Sequence, residues 1–131
     1  MSRRKKILFV CVHNSCRSQI AEGFARHFGD DAVEVYSAGS KPSGEVDPNA
    51  IAVMREVGID ISKQRSKSID EIPQVEYDFI VTMGCGDACP FVPAKHREQW
   101  NIPDPKGKTI EDYRKARDKI AQCVKELLAS L

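Results

Sequence analysis

Cys11 and Arg17 are separated by the five residues Val12-His13-Asn14-Ser15-Cys16, and Ser18 follows. The stretch comes directly after an apolar run, Ile7-Leu8-Phe9-Val10, and directly before a helical pattern. The order is strand, tight loop, helix N-terminus. A helix N-terminus gathers backbone N–H groups with partial positive charge, which suits it to anions. Arg17 adds a planar fork of donors matched to a tetrahedral oxyanion. The same positive field favours the thiolate of Cys11, the nucleophilic form of the side chain. Residues Cys11, Val12, His13, Asn14, Ser15, Cys16, Arg17 and Ser18 are therefore expected to form an oxyanion cradle with a thiolate at its floor. Asn14 is one of the few non-glycine types that tolerate a left-handed conformation, which a tight anion loop needs. Ser18 is placed to point its hydroxyl back at the Cys11 sulfur. The alternative is a buried cysteine at a strand end beside a surface arginine, and the strand–loop–helix placement argues against it.

Within the cradle, Cys16 is either a second redox thiol or a small buried hydrophobe, and the second use is the commoner one. His13 is expected to be a partly exposed loop residue that offers the anion its backbone N–H rather than its ring. Further along, Asn101-Ile102-Pro103-Asp104-Pro105 holds a carboxyl between two prolines that stiffen the backbone. Asp104 is ordinary turn chemistry by itself. Held over an oxyanion site it becomes a general acid for a leaving oxygen.

Met83-Gly84-Cys85-Gly86-Asp87-Ala88-Cys89-Pro90 carries two more thiols. A disulfide needs Cα atoms about 4.4–6.8 Å apart, and residues four apart in a compact loop satisfy that. Cys85 and Cys89 can thus close on each other, or one of them can reach Cys11. Two alternatives stand beside this: a metal site with His96 that lacks a clear fourth ligand, and two idle cysteines. No metal is expected. Cys123 is expected to pack in the last helix, His27 to sit near a helix C-terminus, and Trp100 to belong to the core.

The elements that must position these groups follow from periodicity. Residues 6–10 form a buried strand, and 18–28 a helix with Ile20, Ala21, Phe24 and Phe28 on one stripe. Val33, Val35 and Tyr36 predict a second strand that Ser37-Ala38-Gly39-Ser40 stops. Asp47-Pro48 opens a second helix as N-cap and first-turn proline, with Ala52, Met54 and Val57 facing inward and Gly58 at its end. Tyr77–Met83 predicts the third strand. A loop of roughly 20 residues follows up to Pro105, and loops of that length are usually functional or disordered; residues around 98–102 are expected to add an edge strand. Residues 109–130 predict the last helix, with Ile110, Tyr113, Ile120, Val124, Leu127 and Leu128 buried and a Glu111–Lys115 pair outside. Strands alternating with helices make the class α/β with a mostly parallel sheet. The first loop then lies at the carboxyl end of the first strand, where open α/β sheets place ligand sites.

The chain has 131 residues, 20 basic and 19 acidic, for a formal charge of +1. One domain, 1–131, is expected. The balanced charge gives no reason to expect nucleic acid or an anionic membrane surface as partner. Neither a signal-peptide pattern nor a run of about 20 apolar residues is present, so a cytoplasmic protein is expected. Five cysteines in such a compartment point to catalytic or redox use rather than a disulfide framework.

These motifs resemble the low-molecular-weight protein tyrosine phosphatase superfamily, and the resemblance covers nearly the whole chain. It implies a three-layer α/β fold, a four-stranded parallel sheet flanked by helices. Asn14-Ser15-Cys16-Arg17-Ser18-Gln19-Ile20-Ala21-Glu22-Gly23-Phe24, Tyr36-Ser37-Ala38-Gly39 and the extra cysteine pair look like the arsenate reductase branch of the thioredoxin-coupled type. The resemblance implies that arsenate binds in loop 11–17, that Cys11 attacks arsenic, and that Asp104 protonates the departing oxygen. Cys85 would then attack the Cys11 sulfur and Cys89 would resolve the disulfide for a thioredoxin. The tight Gly84-Cys85-Gly86-Asp87-Ala88-Cys89-Pro90 form also looks like relatives that use a low-molecular-weight thiol with a glutaredoxin-like partner. The reductant and the order of Cys85 and Cys89 therefore stay open. Some members bind potassium where this chain has Lys67, with Asn14, Glu22 and Ser37 at the other positions, so the Lys67 ammonium is expected to replace the ion. No cofactor is expected, and a monomer is. A phosphatase of the same fold is the alternative, since Cys11, Arg17 and Asp104 serve both chemistries. Lys106-Gly107-Lys108 stands where tyrosine phosphatases of this kind usually carry aromatic residues. A metalloid or zinc sensor is a third possibility, and the sequence offers it no DNA-binding element.

Overall fold

The computed structural model describes residues 4–84 and 92–131. Four strands, β1 (Lys5–Cys11), β2 (Val33–Gly39), β3 (Tyr77–Thr82) and β4 (Ala94–Gln99), form one parallel sheet in the order β2-β1-β3-β4. Three helices accompany it: α1 (Arg17–Gly29), α2 (Pro48–Glu56) and α3 (Ile110–Ala129). Short 3₁₀ turns occupy Asp30–Ala32 and Ile69–Glu71, the latter closed by a capping box between Ser68 and Glu71. The central strand β1 is covered on both faces. Ile7, Phe9 and Cys11 join the larger core with Ile20, Phe24, Met54, Tyr113 and Ile120, while Leu8 and Val10 join a smaller core with Ile72, Tyr77 and Ile80. That double burial is why β1 reads as a continuous apolar run rather than an alternating one.

Several elements differ from the sequence expectation, each for a local reason. β2 does not stop at Ser37 but runs on to Gly39, because its pairing with β1 continues to the Cys11–Gly39 register. Ser37, Ala38 and Gly39 are small because this end of the strand is crowded, not because it turns. A Cβ on Gly39 would lie 2.6 Å from Val12 O and 2.9 Å from Asn14 N. β4 begins four residues earlier than the predicted edge strand and ends at Gln99. Its sequence, Ala-Lys-His-Arg-Glu-Gln, is polar because it forms the exposed sheet edge. α2 is capped by Asp47, whose carboxylate accepts from Asn49 N at 2.9 Å, as expected. Its inner face is Ala50, Val53 and Met54; Ala52 and Val57 are exposed. On α3, Thr109 caps the first turn, Ile110 is exposed, and Glu111 pairs with Arg114 rather than Lys115. Phe28 stacks on Phe24 but remains exposed at the end of α1. Trp100 is buried against Phe9, as expected of a core residue. No helix among the described residues is long and apolar enough to cross a membrane.

Candidate active site

β1 ends at Cys11 and α1 begins at Arg17, so the five residues between them must turn within the space above the central strand. Asn14 makes that turn in the left-handed conformation, with φ +47°. Its side chain then becomes a hub. Asn14 Oδ1 accepts from Lys67 N (2.9 Å) and from Gln19 Nε2 (3.0 Å), which leaves its amide to donate to Ser18 Oγ at 2.8 Å. Ser18 Oγ lies 2.9 Å from Cys11 Sγ. Ser18 accepts from Asn14 and keeps its own hydrogen available to donate toward the sulfur. Gln19, fully buried, ties the loop to Arg65 O as well, at 2.7 Å. The neighbouring segment supports the loop from behind through Lys41 N to Val12 O (2.8 Å), Ser43 N to His13 O (3.0 Å) and Asp47 N to Ser15 O (2.9 Å).

Cys16 is the N-cap of α1, and no side chain caps the helix there. Among the described residues no side chain competes with an anion for the first-turn N–H groups by capping at Cys16. The Arg17 side chain leans across to the far loop. Its Nη1 donates to Ile102 O at 3.0 Å and its Nη2 lies 3.6 Å from Asp104 Oδ2. Asp104 is partly exposed and its other oxygen accepts from Lys106 N at 3.1 Å. Cys11, His13, Ser15, Cys16, Arg17, Asp104 and Lys106 line a common narrow cleft. The structure thus brings Cys11, Arg17, Ser18 and Asp104 together although Asp104 is distant in sequence. Val12 is half-buried behind the cleft, and His13 is exposed, with Nδ1 3.1 Å from Lys41 O. Cys85 and Cys89 lie outside the described residues, as does the proposed pairing between them.

Cys16 is buried, and its thiol is held well above the ordinary value of 9.0, chiefly by burial and next by the nearby Asp47 and Asp104 carboxylates, against the opposing pull of Arg17. It behaves as a neutral packing thiol beside the exposed end of the cradle. Asp47 is legible in the sequence as a helix cap, but not as a support of the loop. Tyr113 on α3 donates to its Oδ2 at 2.6 Å, so the buried Asp47 carboxylate joins α2 to α3 while the Asp47 backbone N–H donates to Ser15 O. Burial and that bond push the Tyr113 hydroxyl up to about 12. Behind the loop, Lys67 Nζ sits 3.6 Å from Glu22 Oε1 and donates to Ser37 Oγ (3.3 Å) and Arg65 O (3.1 Å). Glu22 is buried and also holds Ser37 and Arg26. Burial lowers the Lys67 pKa and Glu22 partly offsets it. Cys123 packs at the edge of the core, and His27 is exposed against Phe28. Among the described residues, no group of three or more His, Cys, Asp or Glu side chains is placed to hold a metal ion.

Residues 6–131 match the sequence profile of the family described as low molecular weight phosphotyrosine protein phosphatase. A relative from Synechocystis, named glutaredoxin arsenate reductase, is 42% identical over 130 residues, which cover 97% of this chain and 98% of the relative. A solved structure of an arsenate reductase in a phosphate-binding state superposes with a TM-score of 0.87 at 41% identity, over 96% of this chain and 98% of that one. A thioredoxin-dependent arsenate reductase from Corynebacterium glutamicum is 34% identical with a TM-score of 0.80, over 98% of this chain and 62% of the longer protein. The profile spans nearly the whole sequence, and the phosphate-binding relative shares the fold that carries the cradle: the chain belongs to the low molecular weight phosphotyrosine protein phosphatase family.

Proposed function

We propose that the chain reduces arsenate to arsenite. The observation that carries this is the convergence of Cys11 Sγ, Ser18 Oγ, the Arg17 guanidinium and the Asp104 carboxyl on one cleft at the N-terminus of α1. The names of the relatives supply the arsenic chemistry. Arsenate is held by the backbone N–H groups of loop 11–17 and by Arg17. The Cys11 thiolate attacks arsenic and forms an S–As bond, while an As–O bond breaks and Asp104 gives the departing oxygen its proton, so that water leaves. The Cys85 thiolate then attacks Cys11 Sγ. The S–As electron pair stays on arsenic, which leaves as arsenite, and a Cys11–Cys85 disulfide forms. Cys89 attacks that disulfide, frees Cys11 and passes the oxidised pair on as Cys85–Cys89.

We assign the reductant to thioredoxin first. A low-molecular-weight thiol with a glutaredoxin-like protein is the alternative, because the Synechocystis relative is named for glutaredoxin and the Corynebacterium glutamicum protein for thioredoxin. Such chemistry belongs in the reducing cytoplasm, and the chain acts as a monomeric single domain without cofactor. The second reading is a phosphatase, favoured by the family name. Lys106 lines the cleft and Lys106-Gly107-Lys108 follows Pro105, so no aromatic residue there stacks on a phenyl ring. Only weak phosphatase activity is expected.

The test is arsenate-dependent NADPH oxidation with thioredoxin and its reductase, repeated with a small thiol and glutaredoxin. Wild type is compared with Cys11→Ser, Cys85→Ser and Cys89→Ser. Loss of turnover in all three supports the relay. Full turnover in all three overturns it, and loss in Cys11→Ser alone transfers the second and third thiol roles to the external reductant.

A further inference from the structure

Gly84 follows β3 at the carboxyl edge of the sheet and has φ +76°, a conformation in which L side chains are strained. It does not stand in open space. A Cβ built there would collide with Arg17 Nη1 and would lie 3.0 Å from Arg17 Cζ and 3.2 Å from Nη2. The Arg17 guanidinium thus fills the space that a side chain at 84 would take, with its Nη1 donating to Ile102 O at 3.0 Å. Met83, one residue earlier, is fully buried, and its N–H donates to Val10 O at 2.8 Å, so this backbone is tied to the central strand and is costly to displace. The arginine is the softer partner: its guanidinium is the far end of a flexible side chain.

We propose that Gly84 is a positioning residue for Arg17. Its missing side chain leaves the slot in which the guanidinium lies while it braces Ile102 and faces Asp104. Any side chain at 84 moves the guanidinium out of the slot and weakens the oxyanion cradle, without touching the oxyanion itself. The proposal rests on the anion-binding part of the function given above and not on the reduction steps, so failure of arsenate turnover in the wild type leaves its test intact.

Gly58 provides the matched control, since it has φ +81° and a Cβ added there would meet nothing within 4 Å. Binding of inorganic phosphate is measured by calorimetry, and folding by thermal denaturation, for wild type, Gly58→Ala, Gly84→Ala, Arg17→Ala and Arg17→Ala/Gly84→Ala. Gly58→Ala and Gly84→Ala are expected to lose similar stability from the shared backbone conformation. Only Gly84→Ala is expected to weaken phosphate, at least tenfold. In the Arg17→Ala background, adding Gly84→Ala is expected to cost no further affinity, because the group it displaces is gone. If Gly84→Ala fails to fold, the double variant is expected to fold with the stability cost of Gly58→Ala, since the collision has been removed. The proposal is overturned if Gly84→Ala binds phosphate within twofold of wild type, if its effect is undiminished in the Arg17→Ala background, or if both Gly84 variants unfold.

Discussion

Asn14 Nδ2 donates to Ser18 Oγ, which keeps the Ser18 hydroxyl proton available to Cys11 Sγ 2.9 Å away. The polarity of this short chain is set two bonds further back, where Lys67 N and Gln19 Nε2 both donate to Asn14 Oδ1. The nucleophile is legible from Cys-x5-Arg-Ser. The donors that orient its partner are not, because Lys67 is 53 residues from Asn14 and no local pattern joins them. Asp104 is legible as a stiffened carboxyl, whereas its approach to Arg17 is a product of the fold. Asp104→Asn is expected to lower kcat for arsenate by about 10²–10⁴-fold, the usual contribution of general acid catalysis, with phosphate affinity kept or improved; steady-state kinetics beside a phosphate titration checks both. Cys16 gives a second expectation. Its folded-state pKa is raised, so the folded protein keeps the thiol neutral where the unfolded chain ionises it near 9.0. The contribution is fully present below pH 9 and is lost as pH rises above it toward the higher folded value. Cys16→Ala should flatten the fall in melting temperature between pH 8 and 10, and iodoacetamide at pH 8 should label Cys11 in preference to Cys16 in the wild type.

At the scale of elements, β2 and the cradle are fitted to each other at Gly39. A Cβ there would meet Val12 O, Asn14 N and Cys11 O at 2.6–3.0 Å, all backbone atoms that cannot swing aside. Gly39→Ala is expected to destabilise the protein by about 1–3 kcal/mol, as overpacking does, and to displace the loop, so that denaturant midpoint and phosphate affinity fall together. The same small residues lead the sequence pattern to end β2 too early, since Ser-Ala-Gly-Ser signals a turn as readily as a crowded strand end. Behind the cradle, Glu22 of α1, Ser37 of β2 and the Lys67 segment meet around one ammonium group. That position already holds a cation, and turnover is therefore expected to be equal in KCl and NaCl at matched ionic strength. Lys67→Met should leave buried Glu22 with Arg26 and Ser37 alone and reduce stability by about 3 kcal/mol, within the range for breaking a buried pair. A specific activation of the wild type by potassium would sink this account.

Across the whole molecule, legibility follows burial. The apolar run Ile7–Val10 and the helical stripes of α1 and α3 identify the layers, because burial on both faces or along one stripe leaves an unmistakable period. The sequence pattern places β4 too late because an edge strand has little apolar signal to read, and five of its six residues are exposed. Asp47 shows a third kind of blindness. Its cap role is local and visible, but its bonds to Tyr113 and Ser15 join three elements and exist only once those elements pack.

The polar edge has a consequence for the protein in solution. A parallel sheet forms slowly, since each pairing waits for distant segments to meet, and among the described strands β4 is a border at which another chain in the same state could pair. Lys95, His96, Arg97 and Glu98 place charge and bulk along that border. Charged side chains along an edge strand disfavour edge-to-edge pairing with another chain during folding at high concentration. His96→Ile with Glu98→Ile should leave the melting temperature within a few degrees of wild type, yet raise light scattering during refolding in proportion to protein concentration.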